Sequence, residues 1–134
     1  ISVQKNFRSL PPITIDKEQM KQVVLNLLLN AIQAMPEGGR LKLSGKIPTG
    51  NQWIRLSIQD SGICIPAEDM DKLFDPFFSN REGGIGLGLS IAHRIIDQHH
   101  GRIEVESTPD KGTLFTIWLP LGQRNEDTDP INRR

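Results

Sequence analysis

The sequence predicts an α+β fold in which helices cover one face of a mixed sheet. Two kinds of hydrophobic periodicity support this prediction. Apolar side chains recur at helical spacing in residues 17–35. Apolar and polar residues alternate, as in strands with one buried face, in four further segments: 41–47, 53–59, 102–107 and 113–119. The expected architecture is therefore an α/β sandwich.

Length and composition are those of a single globular domain. The chain has 134 residues, enough to fold around one core without disulfides. Sixteen basic residues balance sixteen acidic ones, so the overall charge favours neither nucleic acid nor an anionic membrane as a partner. The single cysteine excludes an intrachain disulfide and fits a reducing compartment, so we expect a cytoplasmic domain.

The chain begins with Ile1 rather than methionine, and no apolar run approaches the length of a membrane span. We therefore expect a piece of a longer protein. This domain makes no direct membrane contact in that interpretation, whether or not its parent is membrane-anchored.

The N-terminal part is predicted to contain a short strand and a long helix. Residues 1–10 are typical of a short strand, which a Pro-Pro pair ends. Asp16 is a helix N-cap, with Gln19 three residues on, as in a capping box. The helix over residues 17–35 carries its apolar side chains at Met20, Val23, Val24, Leu27, Leu28, Ala31 and Met35.

Turn residues at 48–51 join the first two alternating segments into a hairpin. The elements predicted after it are a short helix at about 68–73, an aromatic segment at 74–78, a glycine-rich stretch at 79–84 and a second helix at about 87–100.

A second hairpin turns at residues 109–112 and joins the last two alternating segments. The domain therefore extends over residues 1–121. Residues 122–134 contain almost no apolar side chains and are predicted to be a disordered tail.

Two amide side chains, Asn26 and Asn30, stand one turn apart among the leucines of the first helix. Residues at this spacing share one helix face, so both amides are directed at the same region. One interpretation is that they cap neighbouring loops inside the core. The other is a polar edge on a ligand cleft, with an amide oxygen for a hard cation such as Mg²⁺.

The stretch GGIGLGLS, residues 83–90, leads into the second helix. Its glycines let backbone N–H groups converge at a helix N-terminus, a geometry that binds phosphate. Glycine-rich turns are also common structural punctuation. The stretch matches neither the Rossmann fingerprint nor the Walker pattern, so a phosphate site here is of another kind.

The heptapeptide DSGICIP, residues 60–66, follows a predicted strand. Asp60 would lie at the sheet edge beside Gly62, where a carboxylate can accept the exocyclic amine of adenine. The structural alternative for Asp60 is an Asx-turn that ends the strand. Cys64 has no cysteine or histidine spaced to complete a metal site and no evident base for nucleophilic chemistry.

Five motifs, taken together, resemble the catalytic, ATP-binding domain of sensor histidine kinases. They match the N, G1, F, G2 and G3 boxes of that family, in its order and spacing, over residues 1 to about 121. The nitrogen-regulator type of sensor kinase is the most similar. The resemblance implies a Bergerat-type α/β sandwich that holds ATP between the N-box helix and a mobile lid. The motifs are Asn26-Leu-Leu-Leu-Asn30-Ala31, Asp60-Ser-Gly62, Phe74-Asp-Pro-Phe77-Phe78, Gly84-Ile-Gly86-Leu-Gly88-Leu and Gly112-Thr113-Leu-Phe115.

The resemblance implies a role for each matching residue. Asn30 would coordinate a Mg²⁺ ion that bridges the phosphates, and Asn26 would lie beside the γ-phosphate. Related ATPases carry a glutamate base at the position of Asn26. Because an amide cannot accept a proton from water, this difference favours transfer to a nucleophile over hydrolysis. Asp60 would bind the adenine amine, with Gly62 beside the ring.

Further nucleotide contacts are implied for the base pocket, for the phosphate loop and for the lid. Arg81 is the cation nearest the phosphate loop and would touch the γ-phosphate; the alternative is a solvated lid charge. These further residues are Gln33, Ile65 and Phe78, then Arg81, Gly84, Gly86, Leu87 and Gly88, and finally Thr113.

The sequence departs from the family pattern at three places. Gln33 stands where many members carry a lysine, and Ser79-Asn80-Arg81 replaces Thr-Thr-Lys with the cation kept. Cys64 stands where the second glycine of the G1 motif is expected. If the backbone there has a positive φ, a cysteine costs strain on the order of 1 kcal/mol.

The phosphoryl acceptor implied by the resemblance is a histidine on a separate, dimeric domain that would precede Ile1, with a response regulator served indirectly. His93, His99 and His100 lie on or after the second helix, away from its phosphate-binding start, and are poor acceptors. We therefore expect the chain to bind Mg-ATP without phosphorylating itself.

Two other functions remain open at this point. A degenerate domain, weakened at Cys64, would serve as a docking module. An ATPase or a serine kinase on the same fold is the second alternative. The Asn26 amide argues against the ATPase, and the aromatic segment and the second-helix sequence GLGLSIAHRIIDQHHG argue against the serine kinase.

Overall fold

The computed structural model describes residues 1–7, 15–48, 50, 52–75 and 88–121. Along the chain, the elements are β1 (Ser2–Phe7), α1 (Lys17–Gln33), β2 (Arg40–Lys46), β3 (Trp53–Asp60), a 3₁₀ helix (Ala67–Lys72), α2 (Gly88–Gln98), β4 (Arg102–Thr108) and β5 (Gly112–Pro120).

The five strands form one mixed sheet with the order β1-β2-β3-β5-β4. β1 pairs with β2 in parallel, and α1 makes the crossover between them. The other three pairings are antiparallel, and they include both predicted hairpins, β2 with β3 and β4 with β5. The predicted mixed sheet is therefore confirmed.

Both α-helices pack against each other on one face of the sheet. The core between them is apolar, because the buried stripe of each helix meets the inward-facing residues of the central strands. The predicted arrangement of helices on one face is confirmed. The core includes Val23, Leu27 and Ala31 of α1, Ile95 and Ile96 of α2, Ile58 of β3, and Phe115, Ile117 and Leu119 of β5.

The other sheet face carries a polar network centred on Trp118. Its indole N–H donates to Glu104 Oε1 at 2.7 Å, and the Arg55 guanidinium lies 5.8 Å from the ring centroid. These residues alternate along β3, β4 and β5 with the buried ones, as expected for strands covered on one face.

The start of α1 matches the prediction, and its end is two residues earlier. Asp16 accepts a hydrogen bond from the backbone N–H of Gln19 at 3.1 Å, as an N-cap does. The helix ends at Gln33 rather than residue 35, and Ala34 is its C-cap. The proline at position 36 explains this end, since it disfavours helical backbone in the preceding residue.

The short helix predicted at 68–73 is a 3₁₀ helix over Ala67–Lys72. α2 ends at Gln98 rather than residue 100, because His100 takes left-handed backbone with φ 62. The N–H groups of His100 and Gly101 donate to the carbonyls of Asp97 and Ile96, which is a Schellman end.

Several predicted segments lie partly or wholly outside the described residues. They are the end of the first strand with its Pro-Pro pair, turn residues 49 and 51, the aromatic segment from residue 76, the glycine-rich residues up to 87, and the tail 122–134. Among the described residues, no helix is long and apolar enough to cross a membrane.

Candidate functional site

The site is built around Asp60, the last residue of β3. Asp60 is 2% exposed, points to the helix-covered face, and is paired in register with Thr113 of β5, which is equally buried. Within the described ranges, these two are the only buried polar or charged side chains. Burial of a carboxylate beside a hydroxyl costs free energy unless both groups have hydrogen-bond partners. This end of the sheet therefore differs from the apolar core and is a candidate binding site.

The carboxylate of Asp60 is oriented by the backbone that follows it. Its Oδ1 accepts a hydrogen bond from the N–H of Gly62 at 2.9 Å. This bond is the Asx-turn that the sequence left as the structural alternative. Because a carboxylate offers about four acceptor positions, the turn and a ligand-binding role are compatible.

Gly62 is required by close packing against the end of α1. A Cβ at this position would lie 2.2 Å from the carbonyl oxygen of Ala34. The same carbonyl accepts a hydrogen bond from the N–H of Ile63 at 2.9 Å. The loop after β3 is therefore attached to the C-terminal end of α1, and no side chain fits between them.

Gly112 lets the start of β5 approach Asp60 from the other side. Its φ is +89°, and a Cβ there would lie 2.0 Å from the carbonyl oxygen of Asp60. Gly112 belongs to a motif that the sequence singled out, although it was not predicted as a site residue. Its glycine is explained by this close approach of backbone to backbone.

Asn26 connects α1 to the beginning of α2. Its Nδ2 donates to the carbonyl oxygen of Gly88 at 3.1 Å. Asn26 and Asn30 are both half-buried and share a helix face, as the spacing predicted. The contact brings Asn26 and the last glycine of the glycine-rich motif together. It also shows that the Asn26 amide holds a neighbouring segment, as the structural alternative required.

The other predicted residues divide into those that the structure describes and those that it does not. Ile65 is 8% exposed and lies on the loop after β3, and Gln33 is exposed at the last position of α1. The structure thus groups Asp60, Gly62, Ile65 and Thr113 at one end of the sheet. The predicted residues outside the described ones are Phe78, Arg81, Gly84, Gly86 and Leu87.

The two groups of site residues are attached to the same helix. Gly62 packs on Ala34, and Gly88 is bonded to Asn26. With a rise of 1.5 Å per residue, these two attachment points are about 12 Å apart along α1. The site is therefore elongated along the helix.

Cys64 has an ordinary backbone conformation. Among the described non-glycine residues, positive φ is confined to His100 and Asp110. The strain that a positive φ at Cys64 would cause is therefore absent, and the expectation of a weakened loop loses its physical basis. The free, half-buried Cys64 lines an open cleft of about 530 Å³ with Met35 and Ser61.

Ser107 is a site residue that the sequence did not reveal. Its Oγ accepts the N–H of Ile65 at 2.7 Å and lies 2.9 Å from Thr113 Oγ1. A serine near the end of a strand carries no distinctive spacing. Only the pairing of β4 with β5 places it beside the predicted residues.

A preformed metal cluster is not part of the site in the described ranges. No group of three or more His, Cys, Asp or Glu side chains there could hold a metal ion. Asn26 and Asn30 supply amide oxygens on this part of α1, and an amide oxygen suits a hard cation that takes most of its ligands from elsewhere.

Comparison with known proteins places the chain in a family. Residues 15–123 match the family described as histidine kinase-, DNA gyrase B-, and HSP90-like ATPase. The chain is 40% identical over 119 residues to the sensor histidine kinase ZraS of Escherichia coli, covering 89% of this chain and 25% of that protein. It is 44% identical over 122 residues to the sensory histidine kinase/phosphatase NtrB of Salmonella typhimurium, covering 84% of this chain and 35% of that protein.

Solved structures agree with these sequence relationships. The catalytic domain of the histidine kinase ThkA superposes with a TM-score of 0.77 at 33% identity, over 90% of this chain and 78% of that one. Full-length ShkA in complex with AMPPNP gives a TM-score of 0.78 at 25% identity, over 95% of this chain and 27% of that one.

The chain therefore spans only a quarter to about a third of the curated relatives named above. The five motifs, the sheet order and the family match all agree, and the similarity to NtrB supports the nitrogen-regulator type. The chain belongs to the histidine kinase-, DNA gyrase B- and HSP90-like ATPase family, and within it to the ATP-binding catalytic domains of sensor histidine kinases.

Proposed function

We propose that this chain binds ATP with Mg²⁺ and donates the γ-phosphoryl group to a histidine on a separate domain of its parent sensor kinase. The observation that carries the proposal is the buried carboxylate of Asp60. It is fixed by the Gly62 N–H at 2.9 Å and lies in register with Thr113.

The base of the nucleotide binds at this end of the sheet. Asp60 accepts the exocyclic amine of adenine, and its burial removes competing water. Gly62 and Ile65 lie beside the ring, together with Phe78. The Thr113 hydroxyl adds a second polar group next to the carboxylate.

The phosphates bind where α2 begins. Backbone N–H groups at a helix N-terminus attract anions. In this proposal the phosphates are bound by such groups of Gly84, Gly86 and Gly88, which have no side chain in the way, and of Leu87. The contact between Asn26 and Gly88 supports this placement, because it puts the amide face of α1 beside that helix end. Arg81 and Gln33 contribute at the edge of the phosphate site.

Asn30 would hold Mg²⁺ in this proposal. Mg²⁺ in nucleotide sites commonly takes few protein ligands, so a single amide oxygen without a carboxylate cluster fits it. When bound there, the ion would supply positive charge beside the phosphates.

Phosphoryl transfer requires a nucleophile, which we place on a separate domain of the parent kinase. The amide of Asn26 cannot take a proton from water, so hydrolysis is not favoured. The acceptor imidazole forms the new P–N bond as the bond from the γ-phosphorus to the bridging oxygen breaks and ADP leaves. Both ring nitrogens of His99 are already engaged, with Asp16 and Ile95.

The partner is then the dimerisation and acceptor domain of the same parent, with a response regulator downstream and a cytoplasmic site of action. The greater length of the relatives supports a parent with further domains. The domain itself we assign to residues 1–121, with 122–134 as a polar tail.

Calorimetry with AMPPNP, with and without Mg²⁺, tests the proposal. We expect saturable binding that Mg²⁺ strengthens. Asp60→Asn should weaken it strongly, because the NH₂ group of an amide turned toward the base cannot accept a hydrogen bond from the adenine amine. Labelled ATP should leave no stable phosphohistidine on this chain. Absence of binding at millimolar ligand would instead support a docking module, and steady phosphate release would support an ATPase.

A further inference from the structure

Ser107 connects two parts of the candidate site that are distant in sequence. It lies on β4 in register with Thr113 and faces the helix-covered side of the sheet. Its Oγ accepts the N–H of Ile65 at 2.7 Å and lies 2.9 Å from Thr113 Oγ1. A third contact, to the carbonyl oxygen of Gly112, is 3.4 Å long.

The Ile65 contact holds the loop that follows Asp60. This loop is attached at its start by Asp60 and Ala34, through the N–H groups of Gly62 and Ile63. The bond to Ser107 attaches it two residues later, to β4. Without that bond, the Ile65 N–H would be a buried donor without this partner, which costs free energy or opens the loop.

The Thr113 contact fixes a hydroxyl next to the buried carboxylate. A serine hydroxyl has one hydrogen and two lone pairs, and the Ile65 N–H occupies one lone pair. Ser107 then either donates to Thr113 or accepts from it. In both arrangements the Thr113 oxygen is held toward β4, so the rotamer of a fully buried side chain is set by Ser107.

We propose that Ser107 is a positioning residue that sets the preference of this site for adenine. It touches no reacting atom. It holds Ile65 of the loop after β3 and Thr113 of β5, both beside Asp60, so that the carboxylate faces the position of the base amine. The inference rests on the proposed nucleotide function and adds to it a residue that determines base selectivity.

A matched pair of substitutions isolates the hydroxyl. Ser107→Thr keeps the oxygen and adds a methyl group, whereas Ser107→Val has the same shape as threonine without the oxygen. Both are good strand residues at a half-buried position. Thr116→Val, on the uncovered face of β5, controls for the loss of a hydroxyl elsewhere.

Calorimetry with ATP and GTP, each with Mg²⁺, gives the selectivity readout. Loss of one buried hydrogen bond corresponds to about a tenfold change in binding. We expect Ser107→Val to weaken the binding of ATP about tenfold and to leave the binding of GTP nearly unchanged. The ratio of the ATP affinity to the GTP affinity should therefore fall. Ser107→Thr and Thr116→Val should both keep the affinity ratio of the unaltered chain. The proposal would be overturned if Ser107→Val weakened the binding of both nucleotides equally, or if Ser107→Thr lost the preference for ATP as well.

Amide hydrogen exchange in the absence of nucleotide provides an independent readout. We expect the Ile65 amide to exchange about tenfold faster in Ser107→Val than in Ser107→Thr, with core amides of β5 unchanged. Unchanged protection at Ile65 would show that Ser107 does not hold the loop. If the unaltered chain bound no nucleotide, the proposed function would fail. The exchange comparison would still decide whether Ser107 holds the loop at Ile65.

Discussion

The imidazole of His99 accepts a hydrogen bond from the backbone N–H of Asp16 at 2.9 Å, across 83 positions of sequence. Its Nδ1 lies 2.8 Å from the carbonyl oxygen of Ile95. A neutral ring with the hydrogen on Nδ1 satisfies both contacts. The side chain therefore joins the beginning of α1 to the end of α2.

Removal of this connection is expected to destabilise the fold. His99→Ala removes the acceptor of the Asp16 N–H, which water replaces in part because Asp16 is exposed, so the free energy of unfolding should fall by about 0.5–1 kcal/mol. Urea denaturation measures the change. Gln98→Ala, at the exposed end of α2, is the control and should have little effect. Equal stability of the two variants would show that the bond contributes nothing.

His100 is a site where a glycine should stabilise the protein. Its φ of 62 lies in the left-handed region at the C′ position of a Schellman end. Relief of a cost of about 1–2 kcal/mol exceeds the extra chain entropy of glycine, so His100→Gly should gain up to about 1 kcal/mol. His100→Ala should not gain, because alanine is also unfavourable there. Thermal unfolding of the two variants distinguishes these outcomes.

Gly62 and Gly88 are expected to respond oppositely to alanine. At Gly62 a Cβ would meet the Ala34 carbonyl at 2.2 Å, so Gly62→Ala should cost about 1–3 kcal/mol and weaken ATP binding. At Gly88 the nearest atoms are those of Asn26, at ordinary distances of 3.7 and 3.8 Å. Gly88→Ala should therefore raise stability slightly through helix propensity. Denaturation and calorimetry on both variants test the contrast, which a large loss in Gly88→Ala would contradict.

Asn26→Asp should be more harmful than Asn26→Ala. Alanine only removes the bond from Nδ2 to the Gly88 carbonyl, whereas aspartate places a carboxylate against that carbonyl and beside the proposed phosphates. We expect aspartate to weaken ATP binding by at least about tenfold more than alanine, a difference of about 1.4 kcal/mol. Calorimetry at two salt concentrations checks the charge effect, which should diminish as salt is raised. If both variants lost affinity equally, repulsion would not be the cause.

Cys64→Gly should leave ATP affinity unchanged within about twofold, since no backbone strain is relieved. Because glycine increases the entropy of the unfolded chain, stability should fall by about 0.5–1 kcal/mol. Cys64→Ala, which keeps a Cβ, is the matched control. A marked gain in ATP affinity on Cys64→Gly would show that the cysteine does impair the site. A marked loss would reveal a role for the thiol.

Much of the fold could be predicted from local sequence patterns. The alternation in β3 and β5 and the helical spacing in α1 are properties of short segments, and the N-cap at Asp16 is equally local. The ends of α1 and α2 were predicted two residues too late, since the C-cap at Ala34 and the left-handed His100 depend on the backbone that follows.

The contacts that depend on strand order could not be predicted. β3 pairs with β5, and β4 then lies outside β5, so Ser107 reaches Ile65 only in the folded sheet. The bond from Asp16 to His99 likewise needs the two helices side by side. Periodicity identifies which face of an element is buried, but it carries no information about which polar atoms meet there.

α1 sets the distance between the two parts of the site. The loop that follows Asp60 is attached to its end at Ala34, and the start of α2 is attached to Asn26. A single residue inserted between these points would turn one attachment by about 100° relative to the other and move it by 1.5 Å. The distance and the rotation between the Asp60 loop and the start of α2 are thus set by the eight-residue interval from Asn26 to Ala34. The loops that carry the binding groups do not set them.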